Sequence, residues 1–186
     1  GGLTGDDRKF TRSRVLLNGR ELEDVVAILM ASGELAHSIN AAGGWTPIGT
    51  SGNVEECEGN SIRRIGGMSA QAFMKEQLGK PLGETDLGII PLAMYKSEGT
   101  EYFSLRTPSH LDSDAGAITM FGSIDRGTSV RVCTATREEV IRSVSDALEG
   151  LNRGKPGGAA AVVISCAGRK WMLEDRANEE VEQVLA

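Results

Sequence analysis

Short apolar segments separated by turns rich in Gly, Pro and Asn recur along this chain of 186 residues. Segments of this kind, rich in branched side chains, are typical of strands, and short connections favour antiparallel pairing. Asn18-Gly19 and Glu58-Gly59-Asn60 have the composition of hairpin turns, whereas GGWTPIGTSG has that of a loop. The sequence therefore predicts strands at 14–17, 25–31, 35–42, 54–57, 61–65, 89–95, 101–105, 117–121, 129–134 and 159–165.

Three other segments have helical spacing. Thr136 and Glu139 form a capping box before a helix predicted over 137–151. A shorter helix is predicted to begin after Ser69 and to end at Gly79, and a last one from Asn178 carries Val181, Val184 and Leu185 on its apolar side. The sequence thus predicts an α+β fold, a largely antiparallel mixed sheet covered by helices.

The apolar run AAAVVIS at 159–165 is the most uniform strand signal in the chain. A strand without a polar face is typical of one that is buried on both sides. We therefore expect this run to lie at the centre of the sheet.

Composition excludes several classes of function. The net charge is -6 and the acidic and basic residues are interspersed, so no basic stripe is available to bind nucleic acid. No apolar run reaches the roughly 20 residues that cross a bilayer, and the first residues have no apolar signal core. Cys57, Cys133 and Cys166 are odd in number and far apart, which predicts free thiols. We expect a cytoplasmic protein that binds neither nucleic acid nor membrane.

The chain has little that suggests catalysis. It has two histidines, His37 and His110, and neither lies in a known catalytic motif. No phosphate-binding loop, nucleophile elbow or zinc-protease motif occurs. Carboxylate pairs such as Glu179-Glu180 lie where a solvated helix N-terminus favours them. We therefore expect that the protein is not an enzyme.

Two glycine-containing segments are candidate binding sites. In SCAGRK at 165–170, small residues precede Arg169, whose planar guanidinium suits a carboxylate. The alternative is that Arg169 pairs with an acidic residue of the chain itself, such as Glu174, and Cys166 is expected to be a small buried thiol. In GGWTPIG at 43–49, Trp45 is either a pocket wall or the anchor of a loop.

Several motifs occur in a characteristic order: GGLTGDD, NGRELEDVVAILMASG, GGWTPIG, SAQAFMKEQLG, GAITMFGSIDRGTSVRV and AAAVVISCAGRKWMLEDRANEEVE. The most specific are GWxPIG, the stretch at 122–132 and the apolar run into SCAGR. Over nearly the whole chain this order resembles the FIST sensory domain family. By this resemblance 1–42 is the end of the FIST N-terminal subdomain, and 43–186 is a C-terminal subdomain incomplete at its C-terminus. For such a fragment we expect an unpaired sheet edge, with self-association or marginal stability.

The resemblance implies a non-catalytic sensory module for signal transduction that binds a small molecule, amino-acid-like or anionic, and works with a signalling output domain or partner protein. Some bacterial members of the family bind haem and sense nitric oxide, so a haem sensor with His37 as axial ligand is one alternative. A protein-interaction module that recruits substrates is another. The family-like site residues are Trp45, Ser165, Cys166, Gly168 and Arg169. Arg106 is added for its charge and its place in a predicted strand.

Overall fold

The computed structural model describes residues 2–6, 9, 11–95, 103–151 and 160–185. Strands in these ranges are β1 (Val15–Leu17), β2 (Arg20–Leu22), β3 (Thr46–Pro47), β4 (Gly52–Glu58), β5 (Ser61–Ile65), β6 (Met68–Ser69), β7 (Leu92–Tyr95), β8 (Phe103–Arg106), β9 (Pro108–Asp112), β10 (Ala117–Met120) and β11 (Ser129–Thr134). Helices are α1 (Ala70–Leu78), α2 (Arg137–Glu149), α3 (Ala167–Leu173) and α4 (Asn178–Leu185), with 3₁₀ turns at Glu84–Asp86 and Glu174–Arg176. The predicted α+β class is confirmed.

The main sheet is antiparallel and curls into a barrel. Its strand order is β8-β7-β11-β4-β5-β10-β9, with β3 added on β11 and β6 on β5. The first and last strands of this order are consecutive in the chain, with only Thr107 between them. The backbone N–H of Phe121 donates to the carbonyl of Thr107 at 2.9 Å, so the bend itself is tied to the end of β10. One bent stretch of chain, 103–112, therefore joins the two ends of the sheet.

The barrel encloses the larger of two apolar cores. Alternate residues of its strands point inward, and α1 covers the sheet with Ala70, Phe73 and Met74. A Cβ atom on Gly52 would lie 2.7 Å from Phe73, so the close approach of α1 requires glycine there. The inward residues of the strands are Val54, Ile62, Ile65, Leu92, Ile118, Met120, Val130 and Val132.

A smaller core lies outside the barrel between α2 and α3. Val140, Ile141 and Leu173 are buried there, with Trp45 and Met172 packed against them. None of the helices in the described ranges is long and apolar enough to cross a membrane.

The predicted start of α2 and both predicted ends of α1 are confirmed, whereas α2 ends at Glu149 and not at the predicted residue 151. The Thr136 hydroxyl accepts from the Glu139 N–H at 3.2 Å, and the Glu139 carboxylate accepts from the Thr136 N–H at 2.7 Å. The Ser69 hydroxyl caps α1, and Gly79 ends it with a left-handed φ of 72°. The predicted loop after α2 lies mostly outside the described residues.

The prediction of a strand at 25–31 is wrong. Asn18 and Gly19 both have positive φ and form the predicted turn, but β1 pairs with β2, which follows the turn directly. Asp24 then has a left-handed φ of 51°, which ends the hairpin before the apolar segment begins. Residues 25–41 are exposed and belong to no strand, so the strand predicted at 35–42 is also wrong.

The prediction that 159–165 forms a central strand is wrong for its described residues, 160–165. They lie outside every sheet and have no regular secondary structure, with Val162 71% and Ile164 58% exposed. The barrel closes through 103–112, so its strand order has no position for this run.

One further difference concerns His110. Residues 108–112 form β9, which places His110 on a strand that is not among those predicted. Among the described residues β8 pairs only with β7 and β9 only with β10, so the expected unpaired edge stays a prediction.

Candidate functional site

Arg169 is a buried cation in the first turn of α3. Its side chain faces α2 and α4, and it is 7% exposed. Its guanidinium forms an ion pair with Glu180 of α4, which is 9% exposed. A charge that is this far from water is stable only when it is paired and hydrogen-bonded.

The other guanidinium donors are used by neighbouring backbone. Nη1 donates to the Gly43 carbonyl at 2.6 Å, to the Ser143 hydroxyl at 3.2 Å and to the Ala42 carbonyl at 3.4 Å. Nη2 donates to the carbonyl of Val140 at 2.7 Å, and Nε to Glu180. We call this arrangement the Arg169 cluster: Arg169, Glu180, Ser143 and the carbonyls of residues 42, 43 and 140. The arginine is saturated by its own chain, so a ligand could reach it only by replacing one of these partners.

The predicted GGWTPIG loop meets SCAGR at this cluster. Gly44 has a φ of 95°, and a Cβ there would lie 2.6 Å from Cα of Val140, so only glycine allows the loop to reach α2. The indole Nε1 of Trp45 donates to the carbonyl of Ile89 at 2.7 Å while the ring packs on the smaller core. Trp45 thus anchors the loop beside the Arg169 cluster.

The remaining SCAGR residues have different environments. Ser165 donates to the second carboxylate oxygen of Glu180 at 3.2 Å and so belongs beside the cluster. Gly168 is buried, and its absent side chain leaves room for the carbonyl of Gly88. The expectation of a buried Cys166 is wrong: its thiol is exposed, because the run before it is not in the sheet. All three cysteines are free, as predicted.

Arg106 lies away from the contacts of the Arg169 cluster, on β8. Its Nε donates to the carbonyl of Ser123 at 3.4 Å and its Nη1 to the carbonyl of Leu105 at 3.1 Å. The side chain packs against Gly122, where a Cβ would lie 2.9 Å from Nε. Among the described residues, no hydrogen bond or ion pair joins Arg106 to Arg169.

The histidines do not fit an axial-ligand site. His37 is exposed, and its neighbours Leu35 and Ile39 are 58% and 88% exposed, so they do not form the apolar slot that a haem requires. His110 is exposed on β9. Within the described ranges, no group of three or more His, Cys, Asp or Glu side chains is placed to hold a metal ion.

Sequence reasoning missed Glu180. The Glu179-Glu180 pair was predicted to be solvated, and the apolar side of the last helix was assigned to Val181, Val184 and Leu185. In the structure Val181 and Leu185 are 53% and 80% exposed, because α4 is rotated so that Glu180 faces Arg169. The predicted alternative partner, Glu174, pairs instead with Arg137. The sequence spacing did indicate that Glu180 could share the buried face of α4, because Glu180 and Val184 are four residues apart and lie on one helical face.

An exposed ion-pair network reinforces the contact between α2 and α4. Arg176 donates to Glu138 at 2.6 Å and to Glu179 at 2.7 Å. These hydrogen bonds hold the pKa of Glu138 and the pKa of Glu179 below their ordinary values. Ser145 of α2 also donates to Gln183 of α4 at 3.0 Å.

Comparison with known families identifies the chain. The model of the FIST N domain matches residues 1–68, and that of the FIST C domain matches residues 63–186. The protein belongs to the FIST family, whose domains are described as sensory domains of signalling proteins. No match was found among curated proteins or among solved structures.

Proposed function

We propose that this protein is a non-catalytic sensory module that binds a small anionic ligand, amino-acid-like in kind, at the Arg169 cluster. One observation carries the proposal: the GGWTPIG loop and the SCAGR turn converge on a single buried guanidinium. The other family-like residues of the proposed site lie near that guanidinium in space or just before it in the chain: Trp45, Ser165, Cys166 and Gly168. Arg106, which lies apart from the cluster, is proposed as a second cation for an acidic ligand. Free thiols and the absence of a membrane-spanning helix in the described ranges are consistent with a cytoplasmic location.

The ligand binds by exchange with Glu180. Arg169 cannot lose its proton and has no donor to spare, so a carboxylate gains access only where the Glu180 carboxylate leaves. The exchange keeps one negative charge beside the arginine and therefore avoids a buried unpaired charge. The exchange also removes the Arg169–Glu180 ion pair, one of the interactions that hold α4 against α2 and α3. An attached output domain or a partner protein would detect the resulting change in α4.

This mechanism predicts opposite effects for the two members of the pair. Glu180→Gln removes the competing charge, so glutamate and succinate should bind more tightly, by about tenfold or about 1.4 kcal/mol. Arg169→Lys keeps the charge but loses the planar fork, so affinity should fall by roughly 1.5–3 kcal/mol. Calorimetric titration of each variant measures both effects.

Controls separate binding from folding. Arg142→Lys makes the same substitution at an exposed arginine of α2 and should leave affinity unchanged. Glutamine, which lacks the side-chain carboxylate of glutamate, should bind more weakly than glutamate. If Glu180→Gln lowers the melting temperature and leaves the affinity for both acids unchanged, the pair is structural and the exchange proposal is wrong.

A further inference from the structure

Asn18 and Gly19 are the two central residues of the turn between β1 and β2. Leu17 pairs with Arg20 across the turn, so no other residue belongs to it. Both central residues have positive φ, 52° for Asn18 and 73° for Gly19, which a two-residue turn with the twist of its strands requires. Both residues are exposed to solvent.

The side-chain amide of Asn18 and the backbone nitrogen of Gly19 are chemically free. Among the described residues, neither group has a hydrogen-bond partner. A Cβ atom on Gly19 would meet nothing within 4 Å, so the surroundings of this residue are open. The conformation of the turn is therefore what keeps the Gly19 nitrogen from the side-chain carbonyl carbon of Asn18.

The hairpin that sets this conformation has little support from the rest of the fold. β1 and β2 form a sheet of two strands that is separate from the main sheet. Leu16 and Leu17 of β1 are 76% and 45% exposed, and the ion pair between Arg14 and Glu21 is exposed as well. An isolated hairpin of two strands is marginally stable in water, and exposed ion pairs add little to its stability. We therefore expect the hairpin to open locally and often.

We propose that Asn18 is a site of spontaneous deamidation, which occurs when the hairpin opens. The backbone nitrogen of Gly19 attacks the side-chain carbonyl carbon of Asn18 and gives up its proton to water. The side-chain nitrogen leaves as ammonia, and the new C–N bond closes a succinimide ring. Water then adds to one of the two ring carbonyl carbons and opens the ring to aspartate or isoaspartate. The reaction needs only water and does not depend on ligand binding at the Arg169 cluster.

Asn18 combines features that the other described asparagines lack. Asparagine is a thermolabile residue, and glycine after it leaves the attacking nitrogen without a neighbouring side chain. The other described asparagines are all followed by a residue that has a side chain. Asn40 and Asn60 also donate their amides to backbone carbonyls at 2.8 and 2.9 Å, while Asn53 lies within β4 and Asn178 begins α4.

Isoaspartate is the product that changes the structure. Its side-chain methylene becomes part of the backbone, so the turn gains a chain atom and no longer fits the two-residue geometry that joins Leu17 to Arg20. The pairing of β1 with β2 is then lost. Deamidation at Asn18 therefore makes a transient opening of the hairpin permanent.

Incubation of the full chain at mildly alkaline pH tests the proposal, with peptide mass spectrometry that separates aspartate from isoaspartate. In the folded chain Asn18 should convert before the other described asparagines, with isoaspartate as the main product. In urea, where the hairpin has no influence, Gly19→Ala should convert severalfold more slowly than the wild-type chain. Gly59→Ala is the matched control, because Gly59 also has positive φ and open surroundings, and it should leave the conversion of Asn18 unchanged.

Nuclear magnetic resonance measures the structural effect. Cross-strand contacts between Leu16 and Glu21, which are register partners, should be lost in the isoaspartate product. Asn18→Asp adds the charge without the extra backbone atom and should keep these contacts. The proposal is overturned if Asn18 stays intact in the folded chain, if another described asparagine converts first there, if aspartate forms without isoaspartate, or if Gly19→Ala converts as fast as the wild-type chain in urea.

Discussion

A Cβ atom on Gly168 would lie 2.7 Å from the carbonyl oxygen of Gly88. Alanine would favour the helical conformation of α3 by about 1 kcal/mol over glycine. The clash with backbone should outweigh this gain, since overpacking of a fixed contact costs typically 1–3 kcal/mol. Gly168→Ala should therefore lower the free energy of unfolding, as measured in denaturant. Gly43→Ala is the control, because a Cβ there meets nothing within 4 Å, and stability equal to Gly43→Ala would contradict the packing argument.

Removing one partner of the Arg169–Glu180 ion pair should lower the free energy of unfolding strongly, whereas replacing both partners with apolar residues should lower it little. Arg169→Met leaves Glu180 buried without its cation, so the free energy of unfolding should fall by about 3–5 kcal/mol. The double variant Arg169→Met with Glu180→Leu removes both charges and should recover most of that loss. A double variant no more stable than Arg169→Met would show that the arginine acts mainly through the carbonyls of Gly43 and Val140.

The three cysteine thiols should react in the order of their exposure to solvent. Cys166 is exposed, Cys57 is half-buried and Cys133 is buried in the barrel wall. Alkylation at neutral pH, followed by mass spectrometry, should modify Cys166 first and Cys133 only on unfolding. If Cys133 is modified as fast as Cys166 in the folded protein, Cys133 is not buried in the sheet as described.

Alkaline pH should destabilise the fold through Cys133. Burial raises the pKa of the Cys133 thiol to about 11, from an ordinary 9.0. Between these values the folded chain holds a proton that the unfolded chain has lost, so stability falls as pH rises through that window. Cys133→Ala should show a smaller fall in melting temperature over the same range, and an equal fall would assign the effect to other groups.

Acid pH should loosen the contact between α2 and α4. Hydrogen bonds from Arg176 lower the pKa of Glu138 and of Glu179, so their contribution to stability is present above the ordinary glutamate pKa of 4.5 and is lost as pH falls below it. Arg176→Gln removes the shared partner and should flatten the dependence of melting temperature on pH in this range. An unchanged acid slope in Arg176→Gln would show that the network contributes nothing measurable.

Signals confined to a few neighbouring residues predicted local structure well. The Thr136 capping box, the Ser69 cap and the Asn18-Gly19 turn need only their own residues, and all are present in the structure. The family resemblance also placed Trp45 and Arg169 in specific motifs, and these motifs meet at the Arg169 cluster.

Pairing between distant segments could not be predicted in the same way. Apolar character shows that 160–165 favours burial, but whether a neighbour exists depends on how 103–112 closes the barrel. The partner of Arg169 was equally ambiguous, since Glu174 and Glu180 are both within reach along the chain. The choice of Glu180 depends on the rotation of α4, which the exposed Val181 and Leu185 show is not set by its apolar residues.

The strand order of the barrel has a consequence for how the chain folds. Three of the six pairings along this order join near neighbours in sequence: β4 with β5, β7 with β8 and β9 with β10. The other three join distant segments, since Ile62 pairs with Ile118, Gly52 with Val130 and Ala93 with Arg131. The first two of these involve the β4–β5 hairpin, which is inserted between β10 and β11. Both close longer loops than the pairing of β7 with β11, so we expect docking of this one hairpin to limit the rate at which the strand order is completed.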